Sequence, residues 1–204
     1  MENYLEKIIE KKVFEKKCEN IDEMVEFYVE EIKKNFEKYN EESFVCDDGP
    51  INMSNFIRKK NGPYKEEEVE DDTRLKDKKM QDWAKIFYKL GNNVDDNLLQ
   101  EKTKEYCAIK KAGNGEKLEK CLLINLNRIL APDYFVMRAS EYDDLSNGVD
   151  FVIVEADTGI VACGFDGAYG EKGGDRYKEK VNKMRKKSER YGTKLKYGFE
   201  FKNG

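Results

Sequence analysis

Asp150 and Asp166 are the two residues whose type and spacing most invite chemistry. They lie within NGVDFVIVEADTGIVACGFDGA, residues 147–168, where two apolar runs surround Asp157, Thr158 and Gly159. That triplet fits a three-residue hairpin connection with Gly159 at the left-handed position, so Ala156 is expected to face Ile160. Counting outward places Asp150 opposite Asp166 on one face, with Cβ atoms about 4.5–5.5 Å apart. Carboxylates at that distance repel each other. A fold accepts them when a cation, a shared proton or water offsets the repulsion. Mg²⁺ favours one or two protein carboxylates completed by waters and a substrate phosphate, so this pair would suffice as an anchor. The plainer alternative is that Asp150 caps a strand start after the Asn147–Gly148 turn and Asp166 opens an Asx turn before Gly167.

The elements that must position this pair follow from hydrophobic periodicity. Leu5, Ile8, Ile9, Val13 and Phe14 recur at helical spacing, and Ile21, Met24, Val25, Tyr28, Val29, Ile32 and Phe36 resume it after a break capped by Asn20 with Glu23. Residues 1–46 therefore read as a helical hairpin extension, whose apolar face must cover the main domain or meet a second copy or a protein partner. Residues 47–76 hold Pro50, Pro63, an Asn-Gly-Pro turn and the acidic run KEEEVEDD, and are expected to form a linker or mobile loop. From residue 77 on, helices are expected to Leu90, with Gly91 as the cap, over 94–111 and over 115–130, the last stopped by Pro132. Strands are expected at 134–137, 149–154, 160–165 and 195–201, with a helix over 175–191 before the last. The class is α/β of the α+β kind, with residues 77–204 as the main domain.

Composition bounds the chemistry further. Charged and hydrophobic residues each make up 39% of the 204 residues, which suits amphipathic helices around a core. No apolar run is long enough to span a bilayer and residues 1–12 are too charged for a secretory signal, so a cytoplasmic protein without a membrane partner is expected. The chain has no histidine, which excludes Ser-His-Asp and Cys-His nucleophilic sites and every imidazole metal centre. Its five cysteines are widely spaced with no CxxC pair, so buried thiols rather than disulfides or zinc are expected. Catalysis would have to use carboxylates, lysines, tyrosines or a hard metal. Between residues 171 and 204, twelve basic residues stand against five acidic ones, a local charge of +7 that would favour a polyanion. A solvated lysine-rich helix face explains the same run without a ligand. The glycine-rich loop GFDGAYGEKGGD lacks both the GK[ST] ending and GxGxxG spacing, so it is not read as a nucleotide cradle.

The order helix, strand, strand, strand, helix, strand, with an acid at the start of the second strand and another near the end of the third, resembles the restriction-endonuclease-like core of the PD-(D/E)XK nuclease superfamily. The resemblance covers roughly residues 115–201 and rests on topology more than on exact motif. It implies an αβββαβ core and hydrolysis of nucleic-acid phosphodiesters with Mg²⁺, or Mn²⁺, held by Asp150 and Asp166. Asp144 or Glu141, in the turn before the second strand, would supply a third acid, and Glu116 and Glu119 are available on the first core helix. Ala168 stands where that superfamily has a lysine. Either Lys172 or Lys178 takes its place, or the site is degenerate and the fold serves as a protein- or nucleic-acid-binding module. Arg176, Lys180, Lys183 and Lys187 are the candidate phosphate contacts.

Overall fold

The computed structural model describes residues 20–37, 44–46, 49–57 and 63–167, together with 174–175, 178–179, 181–182, 185 and 194–198. Helix α1 spans Ile21–Glu37. Its start is fixed as expected: Asn20 Oδ1 accepts the N–H groups of Asp22 and Glu23, both at 3.0 Å, while the Asn20 amide donates to Glu23. The apolar stripe of Tyr28, Val29, Ile32 and Phe36 is buried, and α1 packs on the sheet and on a later helix. The first helix of the expected hairpin lies outside the described residues; the apolar face of the second covers the main domain.

Helix α2 spans Glu66–Tyr88, so the acidic run expected in a loop forms its first turns. Acidic side chains there complement the positive end of the helix dipole. Glu68 accepts the Lys65 N–H at 2.7 Å, and Arg74 bridges back to Glu70 and Asp71. These local contacts outweigh the repulsion among like charges. Preceding it, the described residues 44–57 are not free of the core either: Val45, Ile51 and Phe56 are buried, and Pro50 bridges to Arg138. The left-handed residue that ends α2 is Lys89, at φ 53°, two residues before the expected Gly91. Helix α3 spans Asp96–Lys111 with Asp95 accepting from Asn97 and Leu98, and helix α4 spans Asn114–Leu130.

Strands β1 (Tyr134–Arg138), β2 (Phe151–Glu155) and β3 (Val161–Phe165) form an antiparallel meander in that order. Both faces of the first two are covered. Phe135, Met137, Val152 and Val154 join the residues of α1 in the larger core, and Val136 and Phe151 pack with Leu123 of α4. This two-sided burial explains why β2 reads as a continuous apolar run rather than an alternating one. Asn127 couples α4 to the sheet: its amide donates to Leu123 O and Val136 O, both at 2.8 Å, and its oxygen accepts the Val136 N–H at 2.9 Å.

The β2–β3 register departs from expectation at the turn and then meets it. Glu155 rather than Ala156 lies against Ile160, and Gly159 takes φ 70° as anticipated. A bulge between Ile153 and Val154 absorbs the offset, so Phe151 pairs with Phe165 and the next residues outward are Asp150 and Asp166. Toward the C-terminus, the described residues of 175–185, which fall within the expected helix, are helical. Residues 194–198, expected to begin a fourth strand, form a bend because the N–H groups of Lys196 and Tyr197 donate to Asp143 instead of to a strand neighbour. A mixed α+β fold is therefore present, with three strands among the described residues. The thiols differ from expectation too, since Cys121 and Cys163 are exposed and Cys107 is half-buried.

Replacing Asn127 by Ala removes all three bonds and leaves polar groups of β1 buried without partners. A loss of about 2–4 kcal/mol is expected in urea unfolding. An unchanged midpoint would show that α4 and β1 are held by apolar packing alone.

Candidate functional site

Asp150 directly precedes β2 and Asp166 directly follows β3. The backbone of Asp150 is fixed from both sides: its N–H donates to Phe165 O at 3.0 Å, and its carbonyl accepts the Ala139 N–H at 2.9 Å. Its Oδ2 accepts the Gly167 N–H at 2.6 Å. A Cβ at position 167 would lie 3.1 Å from Leu122 Cδ1 and 3.4 Å from that oxygen, so this approach favours glycine.

The side chains of Asp144, Asp150 and Asp166 are neighbours. Burial pushes the Asp150 carboxyl up to about 8, helped by a hydrogen bond to Asp166 and by the charges of Asp166 and Asp144, and opposed by the Gly167 N–H. Asp144 is raised by burial and by Asp166, against Lys110, its hydrogen bond to Asp150 and Arg138. Glu119 on α4 is also raised by burial, chiefly against Arg138. The acids thus sit in a partly dry setting that favours a proton on Asp150 at neutral pH.

Asp144 is presented by a wide helical turn, Asp143–Asn147, with i to i+5 spacing. Adjacent Asp143 points the other way and is fully buried. It accepts from Ser140 Oγ, Asn147 Nδ2 and the N–H groups of Lys196 and Tyr197. Arg138, at the end of β1, donates to Glu116 at 2.7 Å and lies 3.5 Å from Glu119, while its Nε is buried without a hydrogen-bond partner.

These residues open into a groove of about 970 Å³ whose opposite wall is formed by α2 and α3. There Lys110 Nζ sits 4.6 Å from the centre of the Trp83 ring. Glu141 also lines the groove but is engaged by Lys76 at 2.6 Å. Of the expected site residues, the fold brings together Asp144, Asp150 and Asp166. Lys178 is exposed and lies 3.9 Å from Asp175. Ala168, Lys172, Arg176, Lys180, Lys183 and Lys187 lie outside the described residues. Tyr197 is fully buried and packs in the larger core. Arg138, Lys110 and Trp83 were not singled out from the sequence, where each sits in an ordinary amphipathic element and gives no local signal.

The acids form a chain of neighbours rather than a closed shell: among the described residues, no group of three acidic or cysteine side chains is gathered closely enough to hold a metal ion. Two carboxylates with waters and a phosphate nevertheless meet the needs of Mg²⁺, and a cation at the pair would take the place of the proton. Among the described residues no helix is long and apolar enough to cross a membrane. No protein-family model matches the chain, and no curated protein or solved structure matches it significantly.

The shift of Asp150 sets a pH dependence. An ordinary aspartate has a pKa of about 3.9 in the unfolded chain. With the folded value raised, the protonated form stabilises the fold fully below about pH 4, and this contribution is lost as pH rises through about 8. Asp150→Asn keeps an oxygen for Gly167 and offers an amide to Asp166 without the charge. It is expected to raise stability above pH 8 by about 1–2 kcal/mol, allowing for solvent at this half-buried site, and to flatten the decline of Tm between about pH 5 and 8. A lower Tm for the variant across that range would mean that Asp150 is ionised in the folded protein.

Proposed function

We propose that the protein is a divalent-cation-dependent phosphodiesterase acting on nucleic acid, with a site of the PD-(D/E)XK kind. The observation that carries this reading is the contact between Asp150 and Asp166 at the adjoining ends of β2 and β3, inside a groove and under conditions that disfavour two bare negative charges. Asp150 and Asp166 would hold Mg²⁺ or Mn²⁺, with Asp144 beside them. The ion would supply a water of lowered pKa and positive charge for the phosphoryl group.

The chain's own residues prepare that site in three ways. Gly167 N–H fixes Asp150 Oδ2, which orients the carboxyl among Asp166 and Asp144. Arg138 holds Glu116 and moderates the negative charge of Glu119, which keeps the acid wall from expelling itself into solvent. The buried surroundings strengthen every charge interaction at the pair. Lys172 remains the proposed substitute for the lysine that Ala168 lacks, and Arg176, Lys180, Lys183 and Lys187 the proposed phosphate contacts of the C-terminal segment.

The test is cleavage of single- and double-stranded DNA and RNA in Mg²⁺ or Mn²⁺ by the wild type, Asp150→Ala and Asp166→Ala. Metal-dependent cutting that falls at least about 100-fold in both variants is expected. A parallel melting experiment gives a readout independent of activity: at pH 8 the ion is expected to raise the Tm of the wild type and leave that of Asp150→Asn unmoved. No cutting, together with a wild-type Tm indifferent to both ions, would make the acid pair a proton-sharing structural feature and leave the fold as a binding module.

A further inference from the structure

The wall opposite the acids is a second site. We infer that the C-terminal half of α3 seats a single-stranded polynucleotide, its phosphates along Lys104, Lys110 and Lys111 and a base against Trp83. This rests on the phosphodiesterase reading for its biological sense, but its evidence is separate.

Lys104, Cys107, Lys110 and Lys111 all line the groove, and their spacing of three and four residues puts them on one stripe of α3. Elsewhere near the groove the cations are engaged: Lys76 with Glu141, Arg138 with Glu116, and Lys102 with Glu105. Among the described residues, none of the three groove lysines of α3 takes part in an ion pair. Attraction to the negative end of the helix would account for Lys110 and Lys111 in the last turns. It does not account for Lys104, which lies further back.

Lys110 is also held in place. Its ammonium rests over Trp83, and its charge reaches across the groove to depress Asp144 and Glu119 against their burial. The groove therefore has two signs, with lysines on α3 and carboxylates at the ends of the strands. A phosphodiester is the ligand chemistry that uses both, with its oxygens on the ammonium groups and its scissile phosphorus toward the acid pair.

Size and shape select the single strand. At about 970 Å³ the groove is at the upper limit of ordinary ligand pockets, room for a short stretch of one strand and too little for a duplex. Among the described residues Trp83 is the one aromatic side chain in its lining, and an indole beside a lysine track is the composition of a stacking platform. Neither feature selects between ribose and deoxyribose.

The experiment uses the 204-residue chain carrying Asp150→Asn, so that the strand stays uncut, with labelled oligothymidylate and oligouridylate as probes. Because the chain has one tryptophan, its intrinsic fluorescence reports directly on the proposed platform. Binding of at least one probe with quenching of Trp83 is expected. The combined Lys104→Gln, Lys110→Gln and Lys111→Gln substitutions should weaken it about tenfold or more and make the slope of log K against log salt shallower by about 2. A matched set on α2 and at its C-terminal cap, outside the groove, Lys78→Gln, Lys85→Gln and Lys89→Gln, should leave affinity within about twofold. No binding of either strand, equal loss in both sets, or unchanged affinity in the α3 set would each overturn the assignment. The nuclease reading is judged separately by cutting: a wild type that binds through α3 without cutting sinks that reading and leaves the seat, and cutting with unchanged KM in the α3 variants does the reverse.

Discussion

The buried carboxylate of Asp143 organises the half of the molecule that frames the groove. A fully buried acid is costly unless its lone pairs are met. Here Ser140 and Asn147 meet them from within the turn, and the backbone N–H groups of Lys196 and Tyr197 meet them from more than fifty positions away. The same residues extend the network. Tyr197 O–H and Lys196 Nζ both reach Asp72 of α2, and the Lys196 ammonium lies 5.1 Å from the ring centres of Tyr64 and Tyr142. Turn, C-terminal segment and α2 are thereby tied to one another. Since Asp144 leaves that turn toward the groove and α2 carries Trp83, this network sets one wall of the groove against the other.

How much of this was legible depended on how local the determining forces are. The hairpin was visible because alternation, a turn glycine and flanking acids all lie within a short span, and the facing of Asp150 and Asp166 follows from counting. The count succeeded although the turn was misplaced, because the bulge between Ile153 and Val154 restores the register before the strand ends are reached. No sequence rule places that bulge. It arises as β2, buried on both faces, and β3, exposed through Ala162 to Gly164, accommodate different packing. The helical character of KEEEVEDD was hidden for the opposite reason. Only Val69 and Asp72 turn inward over its first turns, so the apolar stripe that would announce a helix is almost missing, and end charges and ion pairs carry the element.

The site was legible only on its strand side. Asp150 and Asp166 share one hairpin, whereas Lys110 and Trp83 reach the groove on helices whose placement depends on tertiary contacts. The C-terminal basic segment drew attention by composition, yet the cations that the described fold brings opposite the acids come from α3, where charges alternate in sign and net composition is unremarked. Charge density along a sequence and charge geometry in space are different quantities, and the groove depends on the second.

Burial raises the pKa of Asp150, and this decides what the hairpin needs in order to keep its acids together. A carboxylate pair that can be tolerated only around a metal ion destabilises its fold whenever the ion is absent. A pair that can close over a proton does not. Asp150 and Asp166 can share a proton, so the hairpin that frames them does not depend on a cation to hold its two acids together.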